Sequence, residues 1–544
     1  MRCAGRGRAG LKRLAVWALA ATVMGSGVTA RSHAGVGTES RRGRTSAAPA
    51  VVSTDKLRRQ IMDAIAAARL APGRVGVSVR DCGTNDELVL VQPQSDEDRQ
   101  FIPASNLKLI TSGVAMLALG ADYEFKTTFV VQGNRLIIRA SGDPALADPV
   151  LLEKLGVTTD QFVSTLANSI VAAGSQRIDE VIIDDRVFDR QLVHPDWPAD
   201  QLSRAYCAPV SGLNFHANIL DVYATPAGRI GEAPVVRTDP SAPWLEIDRR
   251  NARTVSEGNT QLWIQHGATP TKFLLHGSVR AAIKEPVQVT LKDPGLLFGQ
   301  LLADALVKRN VGGRAGSDGR ATQPVVRFAE AGENLSAPAG MERVVALVRT
   351  PLSVVMERCN VDSDNLYAEC MLKAAANKLT GQPGSWSNGT AAVRMMIKDR
   401  LGPEAASSLI MADGSGLSRN NRVTASLMTR WLSEMSSSPS GEGFVDSLAV
   451  AGEEGTVKTR FRKSKLETEV RAKSGYIRQV RTLSGFLTEP STRRRLAFSI
   501  LVNEVPSGAD QRAKDMHERI VELLDTYLAS QESRPNPAGE AVGG

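Results

Sequence analysis

The spacing of apolar residues near the start of the chain predicts a helix, two strands and a second helix. Residues 55–70 carry apolar side chains at helical spacing along one face. Residues 75–80 and 87–92 then read as strands joined by turn-forming residues, which indicates a hairpin. From residue 105 the sequence turns helical and almost continuously apolar up to Gly120, so this second helix should be buried on nearly all sides.

The middle of the chain has a different texture. Short strand-like runs alternate with glycine and proline turns and a few helical stretches. The runs lie at 125–131, 135–140, 181–184, 262–265, 272–276 and 287–291. Residues 121–345 should therefore form one or two units of their own, mostly β or α+β.

The last third of the chain returns to the pattern of the first. Helical sequence runs through 352–380, a strand passes through residue 473, and strands follow at 483–488 and 496–502. An amphipathic helix over 509–528 closes the pattern. Its polar face is acidic as well as basic, which favours packing on a core over a membrane surface.

Front and back together predict an α+β fold: one antiparallel sheet flanked by helices, interrupted by a large, mostly β insertion. We predict a first catalytic segment at 55–120, the insertion at 121–345 and a second catalytic segment at 346–530.

The two ends of the chain have distinct compositions. Residues 1–30 combine basic residues, an apolar run at 14–24 and small residues near position 30, the pattern of a secretory signal peptide. We predict a flexible linker at 31–54 and a disordered tail at 531–544. The protein should then be exported, periplasmic or otherwise outside the membrane, without a transmembrane anchor, because that apolar run is too short to span a bilayer comfortably.

Charge and composition exclude several classes of function. The net charge of +8 includes five basic residues and no acidic one in the first thirty positions, so the rest of the chain is close to neutral. No nucleic-acid partner is expected. The six histidines show no metal-ligand spacing, so neither a metal nor another cofactor is implied. Beyond residue 30 there are four cysteines, for which a disulfide between Cys359 and Cys370 and four buried thiols both stay open.

Three short motifs carry the chemistry, in this order: Ser105-Asn106-Leu107-Lys108, Ser363-Asp364-Asn365 and Lys473-Ser474-Gly475. Alone, each has a plain structural reading: a helix cap with a solvated lysine, an Asx turn, and an ordinary turn. Their ordered combination is the signature of acyl transfer through a serine.

The first two motifs supply the reacting groups. Ser105 is the candidate nucleophile, and Lys108 lies on the same helix face, where burial would make its amine a neutral base. Ser363 can relay a proton to a leaving nitrogen. Asn365 can bind a substrate amide and Lys108 together.

The third motif supplies the substrate contacts. Lys473 offers a positive charge, and Ser474 a hydroxyl, to a substrate carboxylate. Gly475 lets the substrate lie against the strand. The backbone N–H groups of Ser105 and Tyr476 would form the oxyanion hole.

The strings at 102–108, 363–369 and 413–419, with Ser141-Gly142-Asp143-Pro144, resemble the class C low-molecular-mass penicillin-binding proteins, which are D-alanyl-D-alanine carboxypeptidases and DD-endopeptidases. The resemblance extends over residues 55–530. It implies a penicilloyl-serine-transferase (β-lactamase-like) domain that acts on peptidoglycan peptides and is acylated by β-lactam antibiotics. It further implies substrate contacts from Asp184 in the insertion and from Arg419.

Rival functions remain on the same fold. A serine β-lactamase needs a base for deacylation, and no glutamate lies near a matching motif; the large insertion would also be unnecessary. An esterase and a non-catalytic peptidoglycan-binding protein are two further alternatives. The presence of all three motifs argues against the non-catalytic protein, because a site that no longer reacts would be free to lose Lys108 or Lys473. The balance of carboxypeptidase and endopeptidase activity and the formation of a homodimer stay open.

Overall fold

The computed structural model describes residues 52–71, 73–314, 321–336 and 342–531. The predicted signal peptide, nearly all of the linker and the predicted tail after Gln531 lie outside the described residues. The helices are α1 Thr54–Ala68, α2 Leu107–Leu119, α3 Pro149–Leu155, α4 Thr159–Ala172, α5 Pro294–Val307, α6 Leu352–Val361, α7 Asn365–Thr380, α8 Trp386–Leu401, α9 Pro403–Ser407, α10 Ala425–Ser437, α11 Gly441–Asp446 and α12 Asp510–Gln531.

The strands are β1 Arg74–Asp81, β2 Glu87–Val91, β3 Glu124–Gln132, β4 Arg135–Arg139, β5 Glu180–Asp184, β6 Ile219–Thr225, β7 Val235–Asp239, β8 Glu246–Thr254, β9 Gln261–His266, β10 Lys272–Val279, β11 Val287–Thr290, β12 Val325–Phe328, β13 Arg343–Pro351, β14 Ala449–Val450, β15 Glu469–Ile477, β16 Val480–Thr488 and β17 Arg495–Asn503.

A six-stranded antiparallel sheet joins the two ends of the chain, in the order β14-β15-β16-β17-β1-β2. The junction is the pair β17 and β1, in which Ile500 lies opposite Val77. Along β17 successive side chains enter different cores, as strand alternation requires: Phe498 faces one and Leu501 the other. The predicted fold, a helix-flanked antiparallel sheet split by an insertion, is confirmed.

Helices cover both faces of this sheet. On one face α1 and α12 pack against each other and against the strands, and the last helix buries Ile520, Leu524 and Leu528 there. On the other face lie α2, α6, α7, α8 and α10. The apolar face of the last helix therefore packs in the protein core, as predicted. No helix among the described residues is both long enough and apolar enough to cross a membrane.

In its described residues, the insertion contains three further sheets and the helices α3 to α5. Its largest sheet has the order β12-β5-β4-β3-β13 and mixes parallel and antiparallel pairs. Strand β13 crosses the predicted boundary at residue 345 and stays paired with β3 as far as Pro351. The segment boundaries we predicted thus fall inside an element at this point.

The helical stretch predicted over 352–380 is two helices, α6 and α7, with a break between them. Ser363 in the break has φ of +66°, a left-handed conformation that ends a helix. Asp364 then caps α7 by accepting a hydrogen bond from the Tyr367 N–H group. Ser363 therefore lies between the two helices and is part of neither. All four described cysteines are unpaired thiols, Cys359 on α6 and Cys370 on α7 included.

Candidate active site

A cavity of about 840 Å³ lies between the six-stranded sheet domain and the insertion, and it brings the predicted motifs together. Ser105, Ser363 and Asn365 line it, and Tyr476 follows from the edge of β15. Lys108 and Lys473 lie behind this surface, fully buried.

Ser105 and Lys108 have the geometry expected of a nucleophile and its base. Ser105 lies in a 3₁₀ turn, Ala104–Asn106, that leads into α2. The Lys108 Nζ is 3.2 Å from the Ser105 Oγ, and it donates to the Asn365 Oδ1 at 2.6 Å and to the Ser415 carbonyl at 2.9 Å. Burial lowers the pKa of Lys108, so the neutral amine that a base needs is more accessible than in water.

Asn365 connects two parts of the site, the catalytic helix α2 and the insertion. Its Oδ1 accepts from Lys108, and its Nδ2 donates to the Tyr206 carbonyl of the insertion at 2.8 Å. Ser363 precedes it by two residues and faces the same cavity. The second motif is therefore fixed from the catalytic side and from the insertion at once.

A buried ion network ties the second motif to the insertion. Arg358 on α6 donates to the Asp148 carboxylate at 2.9 Å and to Asp362 at 2.8 Å. Tyr367 on α7 donates to the same Asp148 oxygen at 2.7 Å. Asp148 is fully buried. Because an unpaired charge at such a site is costly, the network holds the residues on both sides of Ser363 in place.

Lys473 on β15 is a fully buried lysine behind the cleft. Its Nζ donates to the Ser474 carbonyl at 3.1 Å, and no carboxylate in the described part of the chain forms an ion pair with it. Burial and the nearby Lys108 lower the pKa of Lys473 to about 7. The Ser474 hydroxyl is within 2.9 Å of the Thr456 hydroxyl and remains partly accessible. A carboxylate bound beside Lys473 would provide the negative charge that stabilises its ammonium form.

Gly475 lets β15 approach the nucleophile. A Cβ at this position would lie 2.1 Å from the Thr482 Oγ1 and 3.1 Å from the Ser105 backbone nitrogen. Any side chain would thus crowd the N–H group that the sequence assigns to the oxyanion hole. Tyr476, the next residue, is two-thirds exposed at the cleft, and the Arg481 guanidinium stacks on its ring at 3.7 Å.

Arg419 and Asp184, the two substrate contacts that only the resemblance implied, lie in different parts of the structure. Arg419 lines the cleft and donates to the Arg478 carbonyl at 2.9 Å. Asp184 does not lie there. It ends β5, its carboxylate binds Arg186 at 2.7 and 2.9 Å, and it lines a separate cavity of about 340 Å³ within the insertion. The strand position was correct, but the turn after β5 directs this carboxylate to its own arginine.

Sequence reasoning missed the residues that the insertion contributes to the cleft. Asp196, Gln201 and Tyr206 line it together with Tyr476. Asp196 accepts hydrogen bonds from Ser418 and Asn420, which lower its pKa. No local pattern marks these residues, because they lie in an irregular segment that reaches the site only through tertiary packing. No group of three or more potential ligands in the described residues could hold a metal ion.

The chain is similar to several known proteins over most of its length. A curated D-alanyl-D-alanine carboxypeptidase from Actinomadura sp. (strain R39) is 29% identical over 500 residues, covering 87% of this chain and 85% of the relative. D-alanyl-D-alanine carboxypeptidase DacB from Haemophilus influenzae is 24% identical over 434 residues, with 78% and 84% covered. The crystal structure of penicillin-binding protein 4 from Haemophilus influenzae superposes with a TM-score of 0.66 at 19% identity, covering 88% of this chain and all of that one, and so shares the fold. The family model of the D-Ala-D-Ala carboxypeptidase 3 (S13) family matches residues 57–527, and the chain belongs to that family.

Proposed function

We propose that the protein hydrolyses D-alanyl-D-alanine bonds in peptidoglycan stem peptides through an acyl-enzyme on Ser105. One observation carries this proposal: the buried Lys108 amine lies 3.2 Å from the Ser105 Oγ, which lines the cleft, and Lys473, which has no carboxylate partner among the described residues, lies buried behind the same cleft. A nucleophile, a base and a carboxylate site together fit a peptide that ends in a free carboxylate.

Acylation begins with proton transfer from the Ser105 Oγ to the neutral Lys108 amine as the oxygen attacks the peptide carbonyl. The negative charge that develops on the carbonyl oxygen is stabilised by the backbone N–H groups of Ser105 and Tyr476. The proton then passes by way of the Ser363 hydroxyl to the leaving nitrogen. The C–N bond breaks, D-alanine leaves, and water later hydrolyses the ester on Ser105.

Recognition of the terminal carboxylate falls to Lys473 and Ser474. When the carboxylate enters, it pairs with the buried ammonium and so stabilises its charged form, which the empty site disfavours. The charged lysine therefore favours substrates with a free C-terminal carboxylate. Asn365 and the exposed edge of β15 at Gly475 and Tyr476 hold the peptide beside them.

Slow hydrolysis of the penicilloyl-enzyme separates this function from that of a β-lactamase. Of the described residues that line the cleft, none is a glutamate, and Asp196 is engaged by Ser418 and Asn420. A penicilloyl group on Ser105 should therefore persist, which fits a penicillin-sensitive peptidase. A Haemophilus influenzae penicillin-binding protein 4 of the same fold has been crystallised with a β-lactam (TM-score 0.63, 19% identity).

The location of the enzyme follows from its substrate. Peptidoglycan lies outside the cytoplasmic membrane, and residues 1–30 have the pattern of a signal peptide. We therefore propose that the protein is exported and acts in the periplasm or an equivalent compartment.

The decisive experiment incubates the protein with a muropeptide that ends in a pentapeptide and measures free D-alanine. We expect stoichiometric release of D-alanine and formation of the tetrapeptide, and none with the Ser105→Ala variant. A cross-linked muropeptide dimer, added in parallel, measures endopeptidase activity. Rapid turnover of a β-lactam without D-alanine release would refute the proposal in favour of a lactamase.

A further inference from the structure

Glu369 is a buried carboxylate in the wall of the active site that the acyl-transfer motifs leave without a role. It lies on α7, one turn beyond Asn365, and is fully buried. One of its oxygens accepts from the Gly414 N–H and the Trp386 Nε1, and the other accepts from the Ser415 N–H, each at 2.8 Å. Its hydrogen bonds therefore hold two successive peptide groups of one loop.

That loop contacts the catalytic helix directly. The Ser415 carbonyl accepts the hydrogen bond from the Lys108 Nζ at 2.9 Å, and the Gly414 carbonyl accepts from Thr111 at 2.6 Å. Gly416 lies so close to the nucleophile turn that a Cβ would be 1.9 Å from the Ala104 carbonyl. Ser415 thus connects the two side chains: its N–H group donates to Glu369, and its carbonyl accepts from Lys108.

Electrostatics connect the same two side chains. Burial and the neighbouring Asp413 raise the pKa of Glu369 to about 7. In its charged form Glu369 raises the pKa of Lys108 and so opposes the lowering by burial. Other titratable or charged groups face this pair from the elements packed around it: Cys359 on α6, Asp364 before α7, Lys373 on α7, Asp413 in the loop and Lys473 on β15.

We propose that Glu369 is a positioning residue for the base: it fixes the loop carbonyl that aims the Lys108 amine at Ser105, and its negative charge stabilises the ammonium that forms when the Ser105 O–H bond breaks. The inference rests on the proposed role of Lys108 as the base. Glu369 itself touches neither the substrate nor the reacting atoms.

The test is a pH profile of acylation by a fluorescent penicillin, followed by stopped flow from pH 5 to pH 9, for wild type and Glu369→Gln. Loss of the clamp should slow acylation roughly 10- to 100-fold, the cost of misplacing a catalytic group. Above pH 7, where Glu369 of the wild-type protein is charged, loss of this charge favours the neutral amine of Lys108, so the acidic limb of the profile should move to lower pH. A carboxylate that was only structural would lower the rate equally at every pH.

Two further variants act as controls. Asp525 on α12 is a buried carboxylate that also accepts from two successive backbone N–H groups, those of Glu467 and Thr468, but on the opposite face of the sheet. Asp525→Asn should keep the wild-type rate and midpoint. Glu369→Asp keeps the charge but shortens the clamp, so its rate should fall while its midpoint stays.

Each outcome distinguishes a positioning role of Glu369 from a purely structural one. A Glu369→Gln profile equal to that of wild type, or a loss of rate with an unmoved midpoint, overturns the positioning role. If Glu369→Gln does not fold, a wild-type acylation rate in Glu369→Asp overturns the role instead. Failure of the wild-type protein itself to become acylated at Ser105 refutes the proposed function, which this experiment therefore tests separately.

Discussion

Replacing Lys473 with methionine should make the free protein more stable below pH 7 while removing its ability to bind a carboxylate. Lys473 is fully buried without a carboxylate partner in the described part of the chain, and its pKa is lowered to about 7 from the ordinary 10.5. A lowering of that size corresponds to roughly 5 kcal/mol of free energy. Methionine fills similar space without a charge, and it gives up only the hydrogen bond to the Ser474 carbonyl, worth about 1 kcal/mol.

The sign of the effect follows from proton binding. Between pH 7 and pH 10.5 the unfolded chain holds the lysine proton and the folded protein has lost it, so the stability of the wild-type protein rises with pH in that window. Below pH 7 both states are protonated, and the full cost of the buried charge is present. Lys473→Met should therefore gain a few kcal/mol over wild type at pH 6, and the gain should shrink as the pH approaches 10.

The assay is denaturant unfolding of wild type and variant at pH 6 and at pH 9.5, paired with the rate of acylation by a carboxylate-bearing penicillin. Loss of the buried charge pair with the ligand should slow acylation by about 30-fold or more. An exposed lysine on α8 provides the matched control, and Lys398→Met should show neither effect. Parallel stability curves for wild type and Lys473→Met would refute the reasoning, because they would mean that the lysine is not destabilised in the folded protein.

Three further predictions concern the same cleft. Lys108→Ala should leave the protein folded by circular dichroism but slow acylation of Ser105 by 10²- to 10⁴-fold, the usual contribution of a general base, and a near-normal rate in mass spectrometry of the adduct would exclude this role. Gly475→Ala places a methyl group 3.1 Å from the Ser105 nitrogen and 2.1 Å from the buried Thr482 Oγ1, so kcat/KM for a pentapeptide should fall at least roughly tenfold and the melting temperature should fall as well. Asp148→Asn removes the fully buried carboxylate that pairs with Arg358, and denaturant unfolding should show a loss of about 3 kcal/mol, at the low end for a broken buried pair because Asp362 still pairs with Arg358; an unchanged midpoint would show that the network is dispensable.

Much of the fold was predictable because its signals are local. The apolar run of α2, the strands β15 to β17 and the amphipathic α12 follow from side-chain spacing alone, and the structure confirms that both ends of the chain share one sheet. The break at Ser363 was not predicted, since its left-handed conformation depends on contacts around it as much as on its own sequence.

The candidate site likewise contains residues that the sequence identified and residues that it did not. The structure brings the three motifs together at one cleft. Each motif can be found in the sequence because it is a short string, whereas their convergence depends on tertiary packing. The family resemblance implied a substrate contact from Asp184, and the structure pairs its carboxylate with Arg186 in a separate cavity within the insertion. Tyr206 and Asp196 were missed because their approach depends on how the insertion packs.

The sequence by itself determined which reactive groups the protein has and in what order, because a hydroxyl, an amine and an amide at fixed spacing need only local structure to be recognised. Only the tertiary structure decided which groups are desolvated. It buried Lys108 and Lys473 behind the cleft, and it placed Glu369 against the loop that holds the base. The physical reason is that the proton affinity of a side chain depends on its burial and on charges brought near it from distant parts of the chain, neither of which a local pattern records.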